Sequence, residues 1–137
     1  MFNNERRLYI AKGEIHSATV YEDSHFTVIL DVNPATKGHC LIIPKEHFDN
    51  IYDLDGETAG KLFALATCIA RAMKDALKCD GLNLVQNNGE VAGQTVNHFH
   101  LHLIPRYEGD GLNLNWPQQE ISGEQLEEIR QSIKKSI

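Results

Sequence analysis

The chain has 137 residues, a formal net charge of −6 and three cysteines. This length suits a single domain, 1–137, whose core needs no disulfide staples. An acidic chain disfavours a nucleic-acid partner, and no apolar run approaches the roughly 18 residues of a membrane span. The polar N-terminus is unlike a signal peptide, and the cysteines show no paired spacing. We therefore expect a reduced, cytoplasmic protein with neither a membrane nor a nucleic-acid partner.

The N-terminal third alternates short apolar runs with turn residues, which is typical of β-strands. A brief helix is expected within residues 1–14. Residues 19–21 and 26–30 are rich in β-branched and aromatic side chains and flank a turn, so they predict a hairpin. Residues 39–43 predict a third strand, which Pro44 should end.

The middle of the chain carries a long helical pattern over residues 55–79. Asp55 is the expected N-cap, and Gly81 lies just beyond the C-terminal end. Its apolar stripe should pack on a sheet and consists of Ala59, Leu62, Phe63, Ala66, Ile69, Ala70, Met73 and Leu77.

The last third is expected to complete a mixed fold. Residues 82–86 predict a fourth strand, and a capping-box pattern predicts a second helix over 122–135. The order of elements favours an α+β fold, in which one long helix packs on an antiparallel sheet of about five strands and a C-terminal helix follows.

Residues 98–105 hold three histidines that alternate with apolar residues. Alternation is the period of a strand, so His98, His100 and His102 should line one face. The apolar residues between and after them should enter the core: Phe99, Leu101 and Leu103. Pro105 should end this strand because it has no backbone N–H.

Three interpretations of the histidine face compete. The first is an exposed polar surface. The second is a zinc site, since neutral imidazole on a strand suits zinc. The third is a nucleophile with supporting bases. From this strand alone the last two interpretations are equally good.

Two neighbouring segments bear on the choice. Residues 89–96 are glycine-rich, and successive amides in such a turn can cradle an anion, although an ordinary hairpin loop is the simpler interpretation. Asp31 follows a predicted strand, where it is either a turn residue or an acceptor for a ribose diol, with Ile29 and Val32 beside a base.

The chain resembles the histidine triad (HIT) family of nucleotide hydrolases and transferases over residues 13–107. The family hallmark, His-x-His-x-His followed by two apolar residues, is met by His98, His100, His102, Leu103 and Ile104. Three further segments resemble the family's opening, third strand and phosphate loop: residues 14–23, 38–47 and 87–96.

The resemblance implies a HIT-like fold, a homodimer and covalent catalysis without a cofactor. It implies that His100 attacks the α-phosphorus of a nucleoside phosphoramidate or dinucleoside polyphosphate, giving a nucleotidyl-histidine intermediate and then a nucleoside monophosphate. His98, His102 and His39 should surround the phosphate, and His98 or the Thr95 hydroxyl should help the leaving group depart. A neutral imidazole is a good nucleophile near pH 7, which favours this interpretation over a metal site. The alternative is a non-catalytic protein that binds a nucleotide or a metal through the same histidines.

The resemblance also implies the substrate-binding residues. Asp31 should bind the ribose, with Ile29 and Val32 beside the base. The phosphate loop should contribute the remaining contacts: Asn87, Gly93, Gln94, Thr95 and Val96.

One departure from the family concerns zinc. Many bacterial relatives hold a structural zinc with two cysteines and the equivalents of His47 and His98. Glu5 and Leu8 stand in the cysteine slots here, so we expect no metal. His47 is then a surface or structural residue, His98 is left for the active site, and His16 and His25 have no assigned role and should be exposed.

Overall fold

The computed structural model describes residues 18–137; the brief helix expected within 1–14 and His16 lie outside this range. Five strands, two helices and one short 3₁₀ turn make up the described part. In chain order they are β1 (Thr19–Glu22), β2 (Phe26–Leu30), β3 (Cys40–Pro44), α1 (Gly56–Leu77), β4 (Gly81–Val85), the 3₁₀ turn (Glu90–Ala92), β5 (Leu101–Arg106) and α2 (Gly123–Ser136).

The strands form one antiparallel sheet in the order β1-β2-β3-β5-β4, which confirms the predicted fold class. β5 is inserted between β3 and β4. His102 of β5 therefore pairs with Leu41 on one side and with Val85 on the other. This register fixes the third histidine of the triad in the middle of the sheet, where hydrogen bonds on both sides hold its backbone.

Helix α1 covers one face of the sheet through a stripe at helical spacing. Its most buried residues pack against the apolar faces of β2, β3 and β5, and they are Leu62, Ala66, Ile69 and Met73. The expectation that Phe63 belongs to this core is wrong, because its side chain is 55% exposed. Phe63 follows Leu62 directly, so a helical turn of about 100° carries it toward solvent.

The ends of α1 follow simple capping chemistry. Asp55 accepts a hydrogen bond from the Thr58 backbone N–H, as an N-cap does. The helix ends at Leu77, two residues earlier than expected. Lys78 adopts the left-handed conformation there (φ 53°), and its N–H reaches the Lys74 carbonyl. A lysine therefore takes the place that glycine usually occupies, and Gly81 instead begins β4.

Strand β5 differs from the prediction at both ends. It begins at Leu101, so His98 and His100 precede the strand. It also continues through Pro105 to Arg106. The pairing of β5 with β3 reaches only Leu103, so Pro105 lies where the ladder is one-sided, a position that tolerates proline.

Helix α2 begins with the predicted capping box, in which Ser122 and Gln125 satisfy each other's backbone N–H groups. None of its residues is buried. No helix in residues 18–137 has the length and apolar character needed to cross a membrane.

Candidate active site

Three imidazoles meet where β3 begins and β5 passes beside it. His39 directly precedes β3, and its Nε2 lies 2.9 Å from Nδ1 of His102. The ring of His100 lies 4.9 Å from that of His102, edge to face. His39 and His100 are buried and His102 is half-buried. The structure therefore brings together three of the four histidines expected around a phosphate.

The protonation of His100 follows from one contact. Its Nδ1 lies 2.8 Å from the backbone carbonyl oxygen of His98. A carbonyl oxygen only accepts, so Nδ1 must carry the hydrogen. In the neutral ring the other nitrogen, Nε2, then holds a lone pair. This is the form of imidazole that attacks an electrophile.

His39 and His102 form a directed chain of hydrogen bonds. The backbone N–H of Ala35 donates to Nδ1 of His39 at 3.0 Å, so that nitrogen is an acceptor. The hydrogen of a neutral His39 therefore lies on Nε2, which donates to Nδ1 of His102. A neutral His102 must then carry its own hydrogen on Nε2. The chain thus gives His102 a donor at Nε2.

Asp31 stands beside this chain. Its carboxylate is buried, accepts a hydrogen bond from the Asn33 backbone N–H at 3.0 Å, and places Oδ2 4.0 Å from Nε2 of His39. The Asx turn that it makes with Asn33 fits the simpler interpretation of Asp31 as a turn residue. Its position beside the imidazoles equally fits contact with a bound ligand.

Asp31, His39 and His102 also form a group whose possible ligand atoms all lie within 4.8 Å of one another. Two imidazole nitrogens and a carboxylate oxygen suit a transition metal. Nδ1 of His39 accepts from the Ala35 N–H, so the hydrogen of the neutral ring lies on Nε2. A metal bound to Nε2 would need a lone pair on that same nitrogen. The hydrogen bonds therefore orient His39 for proton donation and against metal coordination.

His98 does not join the other three imidazoles through its ring nitrogens. Nε2 lies 2.8 Å from the Pro44 carbonyl oxygen, and Nδ1 lies 3.1 Å from Nδ1 of His47. His47 in turn contacts Asp49 at 2.7 Å. His98 and His47 therefore form a hydrogen-bonded pair, and the role of His98 in the active site stays a prediction. The cause is local: Phe99 N–H donates to the Phe48 carbonyl, so the chain is not yet in the sheet at this point.

The glycine-rich loop has the expected backbone but a different use for Gln94. Gly89 and Gly93 have φ of 87° and 98°, which glycine adopts readily. The Gln94 side chain is buried, donates to the Asp49 and Val96 carbonyls at 2.5 and 2.9 Å, and accepts from the Gly89 N–H. Both amide hydrogens are used within the protein, and the expected contact of Gln94 with the α-phosphate region stays a prediction. Gln94 instead holds the loop in place.

The other predicted substrate contacts divide by exposure. Ile29 and Val96 are 0% and 1% exposed and belong to the interior, and their predicted contacts with a nucleotide stay predictions. The exposed Thr95 and Val32 and the half-buried Asn87 can be reached from solvent. Asn87 also packs over Gly93, where a Cβ would meet its Nδ2 at 3.5 Å.

Three features of the site were absent from the sequence-based expectation. The Ala35 N–H that orients His39 is a backbone group, so no side-chain pattern marks it. The contact of His47 with Asp49 could have been found in the sequence, because the two residues are two positions apart just after a predicted strand. A third feature is Cys40, directly after His39, whose thiol pKa burial raises to about 11.

Comparison with known proteins agrees with this site. The family model for the HIT domain matches residues 12–109, and the chain belongs to the HIT family. It is 45% identical over 131 residues to "Protein hit" of Bacillus subtilis, covering 93% of this chain and 90% of that one. It is 38% identical over 125 residues to a Saccharomyces cerevisiae protein named "Adenosine 5'-monophosphoramidase HNT1", covering 90% of this chain and 77% of that protein.

A solved relative extends the similarity to three dimensions. The crystal structure of a HIT family protein from Bacillus anthracis superposes with a TM-score of 0.89 at 45% identity. The match covers 96% of this chain and 95% of that chain. Family membership and the yeast relatives' names support a nucleotide hydrolase.

Proposed function

We propose that the protein hydrolyses a nucleoside phosphoramidate or a dinucleoside polyphosphate at the α-phosphate, through a nucleotidyl group carried on His100. The contact between His100 Nδ1 and the His98 carbonyl carries this proposal, because it leaves the lone pair on Nε2. The name of the yeast relative, a monophosphoramidase, supports the phosphoramidate as one substrate class.

The reaction has two steps. His100 Nε2 forms a bond to the α-phosphorus while the bond from phosphorus to the leaving group breaks. Water then attacks the phosphorus, the bond to Nε2 breaks, and a nucleoside monophosphate leaves. A covalent intermediate replaces one difficult displacement by two easier ones.

His102 and His39 stabilise charge in both steps. The directed chain from Ala35 gives His102 an Nε2–H, which can donate to a phosphate oxygen. Fixed donors aimed at the equatorial oxygens are most of what phosphoryl transfer requires of a protein. Of the two groups expected to assist the leaving group, His98 is held by Pro44 and His47, so the proposal assigns this hydrogen bond to the exposed Thr95 hydroxyl.

Nucleotide binding is assigned to the buried Asp31 carboxylate and to residues that are at least partly exposed to solvent. We propose that Asp31 accepts hydrogen bonds from the ribose, that Val32 contacts the base, and that Asn87 and the Gly93 backbone border the phosphate. We also propose a cytoplasmic homodimer. The described cysteines are all free thiols, which suits a reducing compartment.

A His100→Ala variant tests the proposal, with His25→Ala as the matched loss of an exposed imidazole outside the site. We expect kcat to fall about 10³-fold or more for His100→Ala while AMP still binds, as for loss of a covalent nucleophile. His25→Ala should keep wild-type turnover. Wild-type turnover by His100→Ala excludes the mechanism. AMP binding by a wild-type protein that turns over neither substrate class supports the non-catalytic alternative.

A further inference from the structure

A buried threonine joins the loop before β3 to the strand that carries His102. Thr36 is 8% exposed, and its hydroxyl oxygen lies 2.5 Å from the backbone carbonyl oxygen of Pro105, which is 69 positions further along the chain. A carbonyl oxygen only accepts, so the hydroxyl donates. Thr36 directly follows Ala35, whose backbone N–H orients His39, and the mechanism proposed above gives Thr36 no role.

The Pro105 carbonyl lies beyond the end of the ladder between β3 and β5. Neighbouring residues of an antiparallel strand point their carbonyls to opposite sides. The Arg106 carbonyl accepts from the Asp80 N–H on the β4 side, so the Pro105 carbonyl points toward β3. Continuing the register would set Gly38 opposite Pro105, but the chain turns at Gly38 (φ 97°) before β3 begins. The Thr36 hydroxyl therefore takes the place of the missing ladder bond.

Thr36 also belongs to the turn that holds His39. Its carbonyl accepts from the His39 N–H at 3.2 Å, and the neighbouring Ala35 N–H donates to Nδ1 of His39 at 3.0 Å. The ring of His39 in turn contacts His102 on β5. Because Pro105 is on the same strand as His102, the Thr36 hydroxyl fixes the turn relative to the partner of His39.

The loop has a second side-chain bond to the end of β5. The Tyr107 hydroxyl, just beyond that strand, lies 2.6 Å from the Lys37 carbonyl oxygen and is exposed. Water can replace a lost bond at an exposed site, whereas a buried carbonyl that loses its donor stays unsatisfied. The bond of Thr36 is buried, so its loss is the one that should displace the turn.

We propose that the Thr36 hydroxyl, through its bond to Pro105, holds the Ala35 N–H in place. Thr36 then acts as a positioning residue, because the Ala35 N–H keeps the hydrogen of His39 on Nε2. That hydrogen is the donor to His102. The proposal rests on the function proposed above and deepens it, since it extends the chain of hydrogen bonds that serves His102 back to the end of β5.

Kinetics of three variants test this role. Thr36→Val removes the hydroxyl at nearly constant volume and should lower kcat about 10- to 100-fold while AMP still binds, because a small misplacement of a catalytic group causes losses of this size. Thr36→Ser keeps the hydroxyl and should recover most of kcat. Thr27→Val is the matched control: it removes a buried threonine hydroxyl from β2, three positions before the strand ends, and should turn over as wild type.

The tautomer of His39 gives a readout that does not depend on turnover. Long-range proton–nitrogen NMR spectra at about pH 8, where a free imidazole is neutral, show which ring nitrogen carries the hydrogen. We expect this hydrogen on Nε2 in the wild type and in Thr36→Ser, and a mixture of both tautomers in Thr36→Val. Thermal unfolding checks that each variant is folded. Thr36→Ala, which leaves room for a water on the Pro105 carbonyl, replaces Thr36→Val if the valine variant does not fold.

Two results overturn the role of Thr36. One is a folded Thr36→Val with wild-type kcat. The other is a lowered kcat with an unchanged His39 tautomer, because the loss then does not come through Ala35. A wild-type chain that turns over neither substrate class, and in which Thr36→Val still shifts the tautomer, overturns the proposed function and leaves the action of Thr36 on His39 in place.

Discussion

Nε2 of His39 lies 2.9 Å from Nδ1 of His102, and this contact joins the start of β3 to the central strand β5. The hydrogen must come from His39, because its other nitrogen already accepts from the Ala35 backbone. His39 therefore acts on the site through His102, by fixing which nitrogen of His102 carries a hydrogen. In the proposed mechanism His39 is a positioning residue.

This role predicts different effects for two substitutions of His39. His39→Ala removes the donor to His102 and should lower kcat roughly 10²- to 10⁴-fold. His39→Gln keeps an N–H near the position of Nε2 and should recover part of that loss. Steady-state kinetics of both variants, with AMP binding as the control for an intact pocket, measures the difference. Equal kcat in the two variants contradicts the positioning role.

Substitution by alanine should destabilise the protein at Gly38 but not at Gly60. Gly38 has φ of 97°, and a Cβ there would meet Leu77 Cδ1 at 2.5 Å, so Gly38→Ala strains the backbone beside His39. Gly60 lies in α1 with nothing within 4 Å of an added Cβ. Gly60→Ala should raise the free energy of unfolding by about 0.5–1 kcal/mol, whereas Gly38→Ala should lower it. Denaturant unfolding measures the free energy of unfolding of both variants. A Gly38→Ala variant more stable than the wild type contradicts this account of the turn.

Chelation should leave turnover unchanged. The hydrogen bond from Ala35 keeps the His39 hydrogen on Nε2, which disfavours a metal on Asp31, His39 and His102. The measurement is turnover before and after dialysis against EDTA, with elemental analysis of protein purified without a histidine tag. Stoichiometric zinc whose removal abolishes activity favours the metal-site interpretation instead.

Stability should fall in alkaline solution because of Cys40. Burial raises the pKa of this thiol from 9.0 to about 11, so the folded chain keeps it neutral at a pH where the unfolded chain ionises it. The folded-state pKa is the higher one, so the stabilisation is complete below pH 9 and declines as the pH rises toward 11. Unfolding free energies measured across this window should drop less steeply for Cys40→Ala. An identical slope for both proteins means that Cys40 does not contribute.

Thiol labelling gives a second view of the same residue. Cys68 is exposed and Cys40 is buried. At pH 8 a thiol reagent should modify Cys68 in the folded protein and reach Cys40 only after unfolding, because the thiolate is the reactive form. Cys68→Ser should lower the amplitude of the fast phase, while the half-buried Cys79 remains. Rapid labelling of Cys40 in the folded wild type contradicts its burial.

The sequence predicted those parts of the fold that depend on periodicity. The stripe from Leu62 to Met73 predicted α1, and alternation predicted β5 from Leu101 onward. Alternation failed at His98, where the Phe99 N–H donates to the Phe48 carbonyl and the His98 ring contacts the Pro44 carbonyl, and β5 begins only at Leu101. A pattern along the chain contains no information about such a contact with a distant loop.

The sequence predicted site residues whose side-chain chemistry is specific, such as the histidines. It did not predict which polar side chains bond to other groups of the protein. His39, His100 and His102 come together as expected. Gln94 has the right chemistry to bind phosphate, but backbone carbonyls of the protein take its two amide hydrogens. Which acceptors a buried amide meets depends on tertiary packing, so the sequence alone could not decide its role.

The central claim is that His100 carries the nucleotidyl group. Rapid quenching during turnover, followed by mass spectrometry of the peptides, tests it directly. The account predicts one added nucleotidyl mass on His100, which forms and decays at rates compatible with kcat and is absent from His100→Ala. Turnover by the wild-type chain with no adduct at any time, together with active His100→Ala, contradicts the account.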